Sequence, residues 1–291
     1  MIGNRSILTR MARHMTPRRA DDRAVTGGPD SPQPTTDAPA GHDVWIDGSD
    51  GIRLHAWFVP VGRLAPAVIV IHGWGGSADA MLPLAPHLHR MGFHGLFLDV
   101  RNHGLSDRDR FVSMPRFADD LDTATAWTRG RADVTSVGVI GHSVGAGAAI
   151  LSASRGEAFD ALVSVAAPAD PERLMREQMS SLPKPLVAVA LAGIQRIIGQ
   201  GFADFAPHNR LPLVSTPVLL VHGGDDRIVP VSSLHALSAA QPAAEVLLVP
   251  GGGHADLQQF LDHIDRIDEF LGRQLRPDSP RTDAGIVVDH G

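Results

Sequence analysis

Apolar positions follow two alternating patterns from about residue 44 onward. Val44-Trp45-Ile46 is followed by the turn Gly48-Ser49-Asp50-Gly51, after which Ile52, Leu54, Ala56 and Phe58 alternate with Arg53, His55 and Trp57. This predicts an antiparallel hairpin with one buried face, closed by Pro60. Short apolar runs then occur at 67–71, 95–98, 137–140, 161–165, 217–221 and 245–249 and predict strands, the continuous run at 67–71 being of the kind covered on both faces and that at 95–98 another buried strand. Between them the period changes. Phe117, Leu121, Ala124 and Trp127 lie four, three and three residues apart, one face of a helix. Further helices are predicted through Leu82, Leu84, Leu88 and Arg90, over 232–240 and over 256–271. Strands alternating with helices predict an α/β fold, a mostly parallel sheet of about eight strands with helices on both faces.

The interval 169–215 breaks this rhythm. It is too long for a simple crossover, and it carries a helical stretch at 172–179, then Pro183-Lys184-Pro185, then an apolar stretch at 186–198. A short helical cap over the carboxyl edge of the sheet is expected, inserted in a domain running from 42 to 275. The apolar stretch could dip into a membrane but is too short to span one. Residues 1–41 contain six arginines by Arg23 and then a Pro/Thr/Asp/Ala stretch, which predicts a disordered tail. The alternative is a short basic helix with Ile2, Ile7, Leu8, Met11 and Met15 on the face that touches an anionic membrane. Arg18-Arg19 does not read as an export signal, because charged and proline-rich residues follow it. Residues 276–291 are read as a second flexible tail.

Composition narrows the function. The formal charge is -6 and no nucleic-acid motif is present, so no nucleic-acid partner is expected. There is no cysteine, which excludes disulfides, thiolate metal sites and cysteine catalysis and fits a cytoplasmic location. No apolar run reaches the roughly 18 residues that span a bilayer.

Candidate chemistry centres on Gly141-His142-Ser143-Val144-Gly145, between the run at 137–140 and a small-residue segment at 146–149. Strand, sharp turn and helix there would force the Ser143 hydroxyl out above the sheet, with glycines where a side chain would collide. A serine nucleophile needs a base, an acid to orient the base, and donors for the oxyanion. His254, after Gly251-Gly252-Gly253 and the last strand, is the candidate base. The acid is Asp225 or Asp226, in the loop after the penultimate strand. His72, His142 and His222 raise the question of a metal, but no His-Glu-x-x-His pattern accompanies them, so neither metal nor cofactor is expected.

From about residue 44 to 271 the chain resembles an α/β-hydrolase. His72-Gly73-Trp74-Gly75 is similar to the family's oxyanion loop, residues 141–145 to its nucleophile elbow, His222-Gly223 through Asp226 with Val229-Pro230 to its acid loop, and Gly253-His254 to its histidine loop. The resemblance implies Ser143, Asp226 and His254 as a catalytic triad, with Asp225 an exposed neighbour. It also implies that the backbone N–H groups of Trp74 and Val144 form the oxyanion hole, although the Trp74 ring could be only a pocket wall, and that His72 and His142 are structural. Residues 99–106 resemble the loop after the family's fourth strand, with Asn102 where glycine is usual. The two-stranded start and short cap are similar to bacterial serine esterases and lysophospholipase-like hydrolases, which implies hydrolysis of a small-molecule ester through an acyl-enzyme. Serine rather than aspartate in the elbow sets aside dehalogenase and epoxide chemistry. Two alternatives are a prolyl-oligopeptidase-like peptidase, disfavoured by the lack of an amino-terminal propeller, and a silent binding protein on a hydrolase scaffold.

Overall fold

The computed structural model describes residues 40–276 except 49, 157–158 and 256. The tails expected at 1–41 and 276–291 lie outside the described residues but for 40, 41 and 276. Eight strands are present among the described residues: β1 (His42–Asp47), β2 (Arg53–Val59), β3 (Ala65–Ile71), β4 (His94–Leu98), β5 (Val134–His142), β6 (Ala161–Val165), β7 (Val218–Gly223) and β8 (Glu245–Val249). They form one sheet in the order β1-β2-β4-β3-β5-β6-β7-β8. Only β1/β2 and β2/β4 pair antiparallel; the other five pairs are parallel.

The described helices are α1 (Ala78–Met81), α2 (Ala85–Arg90), α3 (Met114–Arg129), α4 (Val144–Ala153), α5 (Pro171–Gln178), α6 (Lys184–Ile198), α7 (Phe202–Phe205), α8 (Pro207–Arg210), α9 (Ser232–Ala240), α10 (Leu257–Leu261) and α11 (Ile264–Leu275). Strand β3 shows how the sheet divides the molecule, since alternate side chains point to opposite faces. Ile69 and Ile71 join a core with Phe117 and Leu121 of α3 and Leu234 of α9. Val68 and Val70 join a second core with Leu88 of α2 and Phe270 of α11. All seven β3 residues are buried, which accounts for the unbroken apolar run.

Strand order also fixes where a site belongs. The chain leaves β3 toward β4 on one side and returns to β5 on the other. The loops at the carboxyl ends of β3 and β5 therefore diverge and leave a crevice, the switch point at which open parallel sheets place their ligands. The His72 loop and Ser143 stand there.

Several local expectations needed correction. The helix expected through residues 82–90 is broken into α1, a 3₁₀ turn at Leu82–Leu84, and α2. Pro83 and Pro86 supply no backbone N–H, so each suits a first turn rather than a helix interior. The helix expected at 256–271 is divided at His263, whose backbone leaves the helical region, and it continues to Leu275. In the hairpin, the face expected to be exposed is covered at His55, which is buried between two carboxylates. Strand β8 forms where a strand was expected. It is the edge strand, and Val246 and Leu248 are exposed.

Candidate active site

Ser143 joins β5 to α4 with φ +54° and ψ −119°, a sparsely populated conformation for a residue with a side chain. The surroundings hold it there. Its N–H donates to Val165 O on β6 at 2.8 Å. A Cβ on Gly141 would lie 2.7 Å from Ala146 Cα, and one on Gly145 would strike the His72 carbonyl. Both glycines are thus required by close approach of strand and helix.

Three residues more than 25 positions apart in sequence meet at this turn. His254 Nε2 is 2.9 Å from Ser143 Oγ. The opposite ring nitrogen, Nδ1, donates to Asp226 Oδ2 at 2.7 Å. Asp226 Oδ1 accepts the N–H groups of Ile228 and Val229, each at 2.8 Å. Burial opposes ionisation of Asp226, but the hydrogen bonds from His254 and from the Val229 and Ile228 N–H groups outweigh it and hold its pKa below the ordinary aspartate value. Asp225 is exposed and contributes only its N–H, to Gly252 O at 3.0 Å. The structure thus brings Asp226, not Asp225, to His254.

Acid turn and histidine loop are also joined through their main chains. Gly224 N–H donates to Val249 O at 2.8 Å, and Gly223 packs so closely on Gly252 O that a Cβ would collide. A further tie reaches back to the elbow: His142 Nε2–H donates to the main-chain carbonyl of His254 at 2.7 Å. Burial pushes the His142 pKa down to about 4, so near neutral pH the ring is an uncharged donor beside the base. His222 Nε2–H donates to Val229 O at 2.9 Å, and burial holds this ring below the ordinary histidine value.

Two more histidines shape the loop after β3. His72 Nδ1–H donates to Gly73 O at 2.7 Å, and burial lowers its pKa. His103 Nδ1–H donates to Arg101 O at 3.0 Å, while Nε2 accepts the Gly75 N–H at 3.1 Å. The Trp74 ring lies parallel to Phe117, with centroids 6.3 Å apart. Val144 is the first residue of α4, a position where the backbone N–H has no intrahelical acceptor. Trp74 and Val144 both line the cavity that holds Ser143.

Below this loop lies a network that the sequence did not disclose. Asp99 accepts the Ala78 N–H at 2.7 Å, the Leu105 N–H at 3.1 Å and His55 Nδ1–H at 2.9 Å. His55 Nε2–H donates to Asp43 at 2.8 Å. Burial works against a charged His55, yet its bonds to Asp99 and Asp43 raise the pKa above the ordinary value. The neighbouring Arg101 is gripped by Asp120, Asp50 and Asp109. Asn102, where a glycine is usual, has φ +65°, a conformation asparagine tolerates better than most residues; its Oδ1 accepts the Asp109 N–H at 2.8 Å.

The cavity has a volume of about 620 Å³. Its walls combine the sheet edge with Leu174 and Met175 of α5, Ile194 and Ile198 of α6, and Phe202 and Phe205 of α7. Among the described residues lining it, none is Asp, Glu, Lys or Arg. Within 169–215 the described residues form α5 to α8, and residues of α5, α6 and α7 line one side of the cavity. Among the described residues no group of three or more His, Asp or Glu is arranged to hold a metal ion.

Residues 66–196 match the sequence pattern of the α/β-hydrolase fold family. An uncharacterized protein of Mycobacterium tuberculosis is 31% identical over 250 residues, covering 82% of each chain. A pimeloyl-[acyl-carrier protein] methyl ester esterase of Xanthomonas campestris pv. campestris is 26% identical over 255 residues, which cover 72% of this chain and 94% of that protein. Among solved structures, an esterase of Pyrococcus furiosus superposes with a TM-score of 0.67 at 23% identity, over 87% of this chain and 96% of its own. At that identity the likeness is one of fold.

Proposed function

Because the chain belongs to the α/β-hydrolase family, we propose that it is a serine esterase that cleaves small-molecule carboxylic esters through an acyl-enzyme on Ser143. The observation that carries this reading is the continuous chain of hydrogen bonds from Asp226 through His254 to Ser143 Oγ, opening into an apolar cavity. Ser143 Oγ attacks the ester carbonyl as His254 Nε2 takes its proton. Asp226, ionised and bonded to Nδ1–H, fixes the tautomer and stabilises the imidazolium. The oxyanion is held by the N–H groups of Trp74 and Val144. His254 then protonates the departing alcohol, activates a water, and returns the proton to Ser143 as the acid leaves.

Two further features support an ester over a charged amide or peptide. Among the described residues the cavity walls carry no carboxylate to take a substrate amino group and no Lys or Arg to take a carboxylate. One relative in sequence is named for methyl ester hydrolysis. The test is covalent labelling by a fluorophosphonate, with the adduct located by mass spectrometry. Stoichiometric modification of Ser143, absent in Ser143→Ala, is expected alongside hydrolysis of p-nitrophenyl esters. A wild-type protein that turns over no ester and takes no label would end the proposal.

A further inference from the structure

Helix α6 is apolar around nearly its whole circumference, yet it is not buried. Val187 and Leu191 pack inward, while Leu186, Val189 and Ile197 are 58%, 70% and 52% exposed. At 100° per residue these three fall on one stripe with Ala190 and Gly193, and Leu182, just before the helix, is also exposed. A helix of this composition in a soluble domain ordinarily has both faces covered, and a contiguous exposed apolar face marks an interaction surface. At 15 residues the helix is about 22 Å long, too short to cross a bilayer but long enough to lie in its interface.

Two observations identify the occupant. The first is charge. Between Glu177 and Asp204 the only charged residues are Lys184 and Arg196, both exposed at the ends of the helix, in a chain whose net charge is -6. Arg196 borders the apolar stripe and Lys184 stands at the start of the helix, with no acidic residue between 178 and 203, an arrangement that complements anionic headgroups over acyl chains. The second is continuity. Ile194, Ile197 and Ile198 of this helix also line the cavity that contains Ser143. An acyl chain can therefore pass from the exposed stripe to the serine along apolar surface.

We propose that the 182–198 face docks the protein on an anionic lipid surface and that acyl esters enter the cavity from that surface. Only the second clause rests on the esterase reading. Docking is read separately, on full-length Ser143→Ala, by co-sedimentation with phosphatidylcholine vesicles with and without phosphatidylglycerol. Binding to the anionic vesicles is expected, and the added substitutions Leu186→Asp and Val189→Asp should weaken it by about tenfold or more, since each removes a buried aliphatic side chain from the contact. The same pair placed in the wild-type chain should leave hydrolysis of soluble p-nitrophenyl butyrate unchanged, because neither residue lines the cavity. Failure to bind anionic vesicles overturns the docking proposal. So does undiminished binding by the double variant, which would assign the contact to another segment such as the basic amino terminus. A wild-type dimer that the double variant dissolves, seen by analytical ultracentrifugation, would overturn it in favour of a second copy of the chain. Loss of all ester turnover by wild type alone would remove the esterase reading and leave the vesicle result standing.

Discussion

Among the described residues two histidines each donate Nδ1–H to a buried aspartate, at 2.7 Å for His254 and Asp226 and 2.9 Å for His55 and Asp99. They differ at the other ring nitrogen. His254 Nε2 meets a serine hydroxyl at the wall of a cavity, whereas His55 Nε2 meets the carboxylate of Asp43. A hydroxyl can surrender its proton and a carboxylate cannot, so the first arrangement is built for proton transfer and the second holds a cation in place. On the proposed mechanism the same residue pair serves the reaction in one case and the fold in the other. A His–Asp contact by itself says little about catalysis; the third partner decides.

Substitution at the two histidines should separate these roles most sharply. On the proposed mechanism His254→Gln should lower kcat on the order of a millionfold, as loss of a triad base does, with an unchanged unfolding midpoint. Asp226→Asn should cost about ten-thousandfold by selecting the wrong tautomer, while Asp225→Asn, on an exposed side chain, should match wild type. Steady-state kinetics on p-nitrophenyl butyrate reads all three, and a damaging Asp225→Asn would reassign the acid.

At the other histidine the effect should appear in stability. His55→Gln leaves Asp99 buried without its cation, and the loss should be about 3 kcal/mol near pH 6. His55 has a raised folded-state pKa, so its contribution is fully present below the ordinary histidine value and fades as the pH rises through the raised one. Urea unfolding at a series of pH values should therefore show the gap between wild type and variant narrowing above neutrality. A gap independent of pH would mean that His55 acts as a neutral donor.

Asp268 supplies the case of an aspartate without a histidine. Its Oδ1 is buried with no hydrogen-bond partner, and burial together with nearby Asp265 pushes its pKa up to about 6. A carboxyl with a raised folded-state pKa costs the native state stability as the pH climbs from the ordinary aspartate value to the raised one, and the full penalty stands above it. Asp268→Asn should accordingly stabilise by about 1 kcal/mol above pH 7, a figure reduced for its partial exposure, and by little at pH 4. Thermal melts at the two pH values would check this, and equal shifts at both would contradict it.

What was legible in the sequence was mainly local. Ser143 is marked by the strand before it, the glycines beside it and the small residues after it, all within a dozen positions. The breaks at Pro83 and Pro86 were equally local and were passed over because the apolar spacing of Leu84 and Leu88 continues through them. The His55 network was hidden for a different reason: its members are contributed by β1, β2 and the loop after β4, and alternation in β2 gives every second residue to solvent unless something covers it. No periodicity reveals that Asp99 does so. The grip of His142 on the His254 carbonyl spans 112 positions and involves a main-chain acceptor, which carries no residue-type signal. The choice between Asp225 and Asp226 depends on which side chain turns inward, and that is a matter of backbone conformation within the turn.

The stitching of the acid turn to the histidine loop has a dynamic consequence. With Gly224 bonded to Val249, Asp225 to Gly252, and Asp226 to His254, the acid and the base should respond as one body to any displacement of the carboxyl edge of the sheet. The His254–Ser143 contact, by comparison, joins two different strand-end loops, those after β8 and β5. Across that contact the His142 hydrogen bond to the His254 carbonyl is a second tie between the two loops, so loss of the His142 donor should loosen the base relative to the serine without touching its bond to Asp226.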